Sequence, residues 1–170
     1  MSRESPVRSR RTPLRVATLL VLLAAPAGAQ SSLSYSVRTL DGVALRMGAG
    51  EVPTVVAVFA TWCTTCRGEF AVLDSLHDAL KGRGIRVLAL SVDDSDDAHV
   101  QRYTSARKTR VLVARDASGA VGRTFGTVGV PESYLVDARG MVRWHGRGDI
   151  RAGLADLRLA IAALQPANSR

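Results

Sequence analysis

Residues Thr54–Ala60 read TVVAVFA, a short unbroken apolar run rich in β-branched side chains. A strand with one wet face alternates apolar and polar residues, whereas an unbroken run suits a strand buried on both faces. Next comes Trp62-Cys63-Thr64-Thr65-Cys66. Phe70, Leu73, Leu76 and Leu80 follow at the spacing that lines one face of a helix. Gly82 and Gly84 end that helix. The chain must therefore build a layered structure, with a covered central strand running into a helix whose start carries two cysteines.

The remaining pattern fits around that unit. Tyr35–Leu40 and Val43–Met47 flank Asp41-Gly42, a hairpin turn signal. Ile85–Val92 (IRVLALSV) is a second buried-strand run. Asp93–Asp97 opens a polar helix ending near Lys108, with Ser95 as candidate N-cap and the acids favoured by the helix dipole. Arg110–Ala114 reads as a short strand and Ala117–Phe125 as a glycine-interrupted helix. Ser133–Val136 and Met141–His145 flank a turn and form a closing hairpin that contains Tyr134 and Trp144. The last helix aligns Ile150, Leu154, Leu157, Ile161 and Leu164, and Pro166 stops it. Strands alternating with helices predict an α/β fold. Its parallel strands are covered on both faces, and the closing hairpin adds antiparallel edge strands. A length of 170 residues without repeat or interior linker predicts one domain.

Residues 1–29 stand apart. A basic stretch precedes Val16–Ala25 (VATLLVLLAA), and Ala27-Gly28-Ala29 follows, the layout of a secretory signal peptide. Val16–Ala29 is 14 residues long and interrupted by Pro26 and Gly28. A membrane anchor needs about 20 apolar residues, so cleavage after Ala29 is expected, with residues 30–170 as the mature domain. Ser9-Arg10-Arg11 matches the start of a twin-arginine signal, but Pro13 breaks that pattern and an ordinary basic leader is preferred. Either route exports the chain to a compartment that permits disulfides.

The net charge of +8 includes five Arg in that leader; the other basic residues are scattered and aromatics are only 5%. Nucleic-acid binders concentrate basic charge and add stacking aromatics, so that class is set aside. Two cysteines exclude a disulfide-rich scaffold and a four-cysteine metal site.

Those two cysteines carry the candidate chemistry. At a helix start, free N–H groups and the dipole favour a thiolate at Cys63, and Cys66 lies one turn further in. Cys63 is the candidate nucleophile and Cys66 the resolving thiol. A purely structural disulfide would close a four-residue loop and stabilise little. A metal site would need a third ligand, and His77, His99 and His145 offer no partner in sequence.

Val58–Glu69 (VFATWCTTCRGE) with Phe70, Gly126–Asp137 (GTVGVPESYLVD) and Gly146–Asp149 (GRGD) resemble the TlpA/ResA/DsbE-like exported thiol:disulfide oxidoreductases of the thioredoxin superfamily. Several of these serve cytochrome c maturation. The resemblance implies a thioredoxin-like fold, a central mixed sheet flanked by helices, here with an added N-terminal β-hairpin. It implies that Pro131 is a cis-proline facing the disulfide, and that the Val130 backbone pairs with an extended substrate. It implies that Glu69 lies near the thiols and influences their ionisation. Glu69 shares a helix face with Cys66 at i and i+3 and could take or return its proton. Trp62 is expected to pack beside the disulfide and contribute to substrate binding.

Two departures from the resemblance bear on the chemistry. Ala57 stands where general thioredoxins carry a buried Asp, which leaves Glu69 as the acid of the site. Thr65 replaces the proline many relatives have before the second cysteine, so the potential is open. The expected function is periplasmic reduction of disulfides in exported proteins, apocytochrome c among them. A membrane thiol protein would supply the electrons. The chain is expected to act as a monomer without organic cofactor or metal. The alternatives are a disulfide-donating oxidant, a Cu(I)-binding chaperone or reductase using the two thiolates, and a thiol peroxidase. The last is disfavoured because Ala60 stands three residues before Cys63 where such enzymes carry Thr.

Overall fold

The computed structural model describes residues 32–48 and 50–164. The expected signal segment 1–29 lies outside the described residues. Strand β3, Thr54–Phe59, is buried at every position, as its unbroken apolar run requires. It pairs in parallel with β4, Arg86–Ser91, which pairs in parallel with β5, Leu112–Arg115. On its other side β3 pairs antiparallel with β6, Glu132–Val136, and β6 with β7, Val142–Arg147. The sheet order is β5-β4-β3-β6-β7, a mixed five-stranded thioredoxin-like sheet. The N-terminal hairpin is present as β1, Tyr35–Arg38, and β2, Ala44–Met47, a separate two-stranded sheet. Gly42 takes the positive φ of its turn at +91°.

Alternation along β3 divides the core in two. Val55, Ala57 and Phe59 face a cluster containing Phe70, Leu73, Leu76 and Leu80 of helix α1, Phe70–Leu80, and Val100 of helix α2, Asp97–Ser105. Ile150, Leu157 and Ile161, from the chain that leads into and forms helix α4, Leu154–Ala162, join the same cluster. Val56 and Val58 face the hairpin residues Tyr35, Leu45 and Met47, with Val121 of helix α3, Ala120–Phe125.

Several boundaries differ from the sequence reading: the last helix opens with a 3-10 turn, Ile150–Gly153, before α4, and two other differences bear on the cysteines and on α2. The cysteine segment does not open α1 directly: Thr65–Gly68 forms a 3-10 turn, and α1 begins at Phe70 after Glu69. The N-cap of α2 is Asp96, whose side chain accepts from His99 N, and not Ser95. Asp96 lies one residue before the helix with its backbone extended, the geometry that lets a carboxylate reach the first free N–H groups.

Candidate active site

The sheet register collects the expected residues at one end. β3 runs out at Phe59 and leads through Ala60–Trp62 into the cysteines. Glu132 pairs with Val58, so Val130 and Pro131 lie beyond that same end of the sheet. Cys63 and Cys66 form a disulfide with Cα atoms 5.4 Å apart. Both are buried, Cys66 completely. The Cys66 N–H donates to Cys63 Sγ at 3.1 Å, so the turn brings a free backbone donor to the first sulfur even though the α-helix starts later.

Glu69 is 2% exposed and belongs to this buried layer. Its Oε1 accepts from Ile150 N at 2.6 Å, 81 residues away in sequence. Burial pushes its carboxyl up to about 7, and the charge of Asp149 adds to that; the Ile150 N–H and the Arg151 guanidinium pull the other way. Arg151 is ion-paired to Asp149 and lies against Gly68, between Cys66 and Glu69 in the chain.

The Val130–Pro131 peptide bond is cis, the isomer the resemblance implies. Val130 is half-buried and packs against both core clusters, including the one that contains the cysteines. Trp62, immediately before Cys63, is 67% exposed. Val128, in the loop before Pro131, is 81% exposed. Two exposed apolar side chains thus accompany the cysteines and the cis-proline at this end of the molecule.

Sequence reading missed two carboxylates. Glu132, immediately after Pro131, is 2% exposed; its Oε2 accepts from the Tyr134 hydroxyl at 2.6 Å and its Oε1 pairs with Arg147 Nε at 3.2 Å. Burial and that bond to Glu132 raise the Tyr134 hydroxyl to about 12. The second is Asp93, read as a helix-end acid. It is 4% exposed and accepts from Thr61, two residues before Cys63. Among the described residues no group of three or more His, Cys, Asp or Glu side chains is gathered to hold a metal ion.

Comparison with known proteins adds what geometry alone does not. The AhpC/TSA family model matches residues 36–145. The chain belongs to the AhpC/TSA family. Within it, the chain is similar to the thiol:disulfide interchange protein DsbE of Yersinia pestis, 33% identical over 138 residues, 81% of this chain and 70% of that one. DsbE of Escherichia coli is 32% identical over 98 residues, 58% of this chain and 51% of its own. The chain thus spans about half the length of several of these relatives. Among solved structures, a DsbE-like protein of Chlorobium tepidum superposes with TM-score 0.67 at 22% identity, covering 78% of this chain and 96% of that one. StoA of Bacillus subtilis gives 0.65 at 18% identity over 77% and 98%. These two likenesses bear on the fold. With the Cys63–Cys66 disulfide, the similarity to the Yersinia pestis interchange protein makes the chain a DsbE-like thiol:disulfide oxidoreductase.

Proposed function

We propose that the chain acts in the periplasm as a reductant of disulfides in exported proteins, apocytochrome c among them. Cys63 thiolate attacks the partner disulfide and forms a mixed disulfide, releasing one partner thiolate. Cys66 then attacks Cys63 Sγ, which expels the second partner thiolate and closes the Cys63–Cys66 bond. Two electrons pass to the partner and two protons follow them onto its sulfurs. A membrane thiol protein returns the electrons. Pro131 and the Val130 backbone present an edge to an extended partner segment, and Trp62 supplies exposed apolar contact.

The observation that carries the direction is Glu69. Strong oxidants are strong because their reduced form is stabilised. Here the pair Thr64-Thr65 offers no cation between the cysteines, while a buried acid follows them and becomes anionic near neutral pH. A neighbouring negative charge disfavours thiolates and so favours the disulfide product. The N-terminal sequence, which reads as a secretory leader, supports export.

The test is the midpoint potential of the Cys63–Cys66 couple, by equilibration with dithiol buffers. A value near or below about −230 mV supports a reductant. A value above about −180 mV makes the chain an oxidant and reverses the direction. Cys63→Ser must abolish exchange while the protein stays folded; retained turnover would sink the assignment of the nucleophile.

A further inference from the structure

Asp93 stands in a run of acids of which the helix cap uses Asp96. Its own side chain closes instead on the turn that delivers Cys63. That turn runs from Ala60 to Cys63, with Cys63 N donating to Ala60 O at 3.1 Å. Inside it, the Thr61 N–H is shared between the two Asp93 oxygens at 3.1 and 3.0 Å. Thr61 Oγ1 donates to Asp93 Oδ1 at 2.5 Å, and Ser91 Oγ donates to Oδ2 at 2.6 Å. Ser91 Oγ in turn accepts from Asp93 N at 3.1 Å. His99 Nε2 lies 3.0 Å from Thr61 Oγ1. Because the Thr61 hydroxyl proton is directed to Asp93, the imidazole nitrogen is the donor there. Asp93 is 4% exposed and Thr61 9%. The turn before the nucleophile is thus tied to the end of β4 by a network buried at Thr61, Ser91 and Asp93, and to the first turn of α2 through the exposed His99.

We propose that Asp93 is a positioning residue for Cys63, acting through Thr61 to hold the Ala60–Cys63 turn in the shape that brings the two thiols together. This rests on the reading of Cys63 and Cys66 as the reacting pair. In the oxidised chain the S–S bond itself fixes the two sulfurs. In the dithiol that bond is gone, and the Asp93 network keeps Cys63 facing Cys66. Preorganisation of this kind raises the effective concentration of one thiol toward the other. It therefore favours the disulfide form and lowers the potential.

Redox titration of the full chain against glutathione buffers reads this directly. Two glutathione thiols reduce the Cys63–Cys66 bond and leave as glutathione disulfide, so one S–S bond breaks, one forms and two electrons move. Asp93→Ala is expected to lower the effective concentration about tenfold, a rise in midpoint potential of about 30 mV. Asp93→Asn keeps an oxygen to accept from the Thr61 N–H and an amide to donate to Ser91 Oγ; it is expected to stay within about threefold of the unaltered chain. Should Asp93→Ala fail to fold, Thr61→Val removes the hydroxyl bonds alone and is expected to shift the equilibrium about threefold in the same direction. Equal melting losses in oxidised and reduced forms, with the potential unmoved, would show a purely structural role and overturn the proposal. Equal potential shifts in the Ala and Asn variants would assign the effect to charge and overturn positioning. Failure of the unaltered chain to equilibrate with glutathione would overturn both this proposal and the reading beneath it.

Discussion

A carboxyl held near 7, three residues after a pair of cysteines, has consequences for both stability and rate. Glu69 is pushed up mainly by burial, so its proton is held more tightly in the folded chain than in the unfolded one. Between about pH 4.5 and 7 the unfolded chain has already lost that proton, and folding stability falls as pH rises through this window. Above about 7 the folded chain is deprotonated as well, and this contribution levels off. Glu69→Gln removes the slope. Its melting temperature is expected to gain on the unaltered chain as pH goes from 5 to 8. A difference that stays constant across that range would reject the buried-acid account. In exchange assays above pH 7 the Glu69 carboxylate can take the Cys66 proton, and Gln cannot. A loss of at least about tenfold is expected there, and an unchanged pH–rate profile would remove Glu69 from the mechanism. Glu69 was legible through the family resemblance, which implies an acid at that position. Its partner was not, because Ile150 lies 81 residues away and contributes only a backbone N–H. Asp93 was misread for a related reason. A run of acids before a helix looks the same whether each caps the helix or one of them reaches back 32 residues to Thr61.

The segment that delivers Ile150 is itself held by a packing feature at the level of elements. The Trp144 ring of β7 lies over Gly146 and Gly153, and a Cβ at Gly153 would stand 2.6 Å from Trp144 Cζ2. Gly146 would meet the same ring. Neither glycine has the positive φ that would explain it by backbone conformation, so close approach of the indole is the reason for both. Gly153 closes the 3-10 turn Ile150–Gly153, whose first N–H holds Glu69. Gly153→Ala must therefore displace either the indole or this turn. The expected cost is about 1–3 kcal/mol, a fall in melting temperature of roughly 3–10 °C for a chain of this size. Gly68→Ala is the control. Its Cβ would meet the tip of Arg151 at 3.0 Å, and that side chain, though paired to Asp149, is 57% exposed and yields more cheaply than a packed indole. Equal losses in the two variants would mean that the Trp144 contact does not control the element.

Across the whole molecule, periodicity carried the architecture because each strand and helix is buried by its own local pattern. Thr54–Phe59 has no polar residue facing water, and Phe70, Leu73, Leu76 and Leu80 are the buried face of α1. Sheet order was not legible in the same way. The pairing of β6 with β7 follows from the closing hairpin, but nothing in Glu132–Val136 announces that it inserts between β7 and β3 and is not an edge strand, since that pairing is fixed by long-range contact and not by local pattern. The resulting body has two apolar clusters, one on each face of the sheet, and a single disulfide at the end of one of them. That disulfide closes a loop only four residues long. In the chain-entropy account so short a loop contributes about 2 kcal/mol at most, against a core that includes the whole of β3. A redox-active pair needs this arrangement, because the fold must survive each opening of the bond. Reduction with excess dithiol should therefore leave the far-ultraviolet circular dichroism unchanged and lower the melting temperature by roughly 4–8 °C. Cooperative unfolding on reduction at 25 °C would make the disulfide a structural staple, and a protein that unfolds when its cysteines open cannot cycle between the two states.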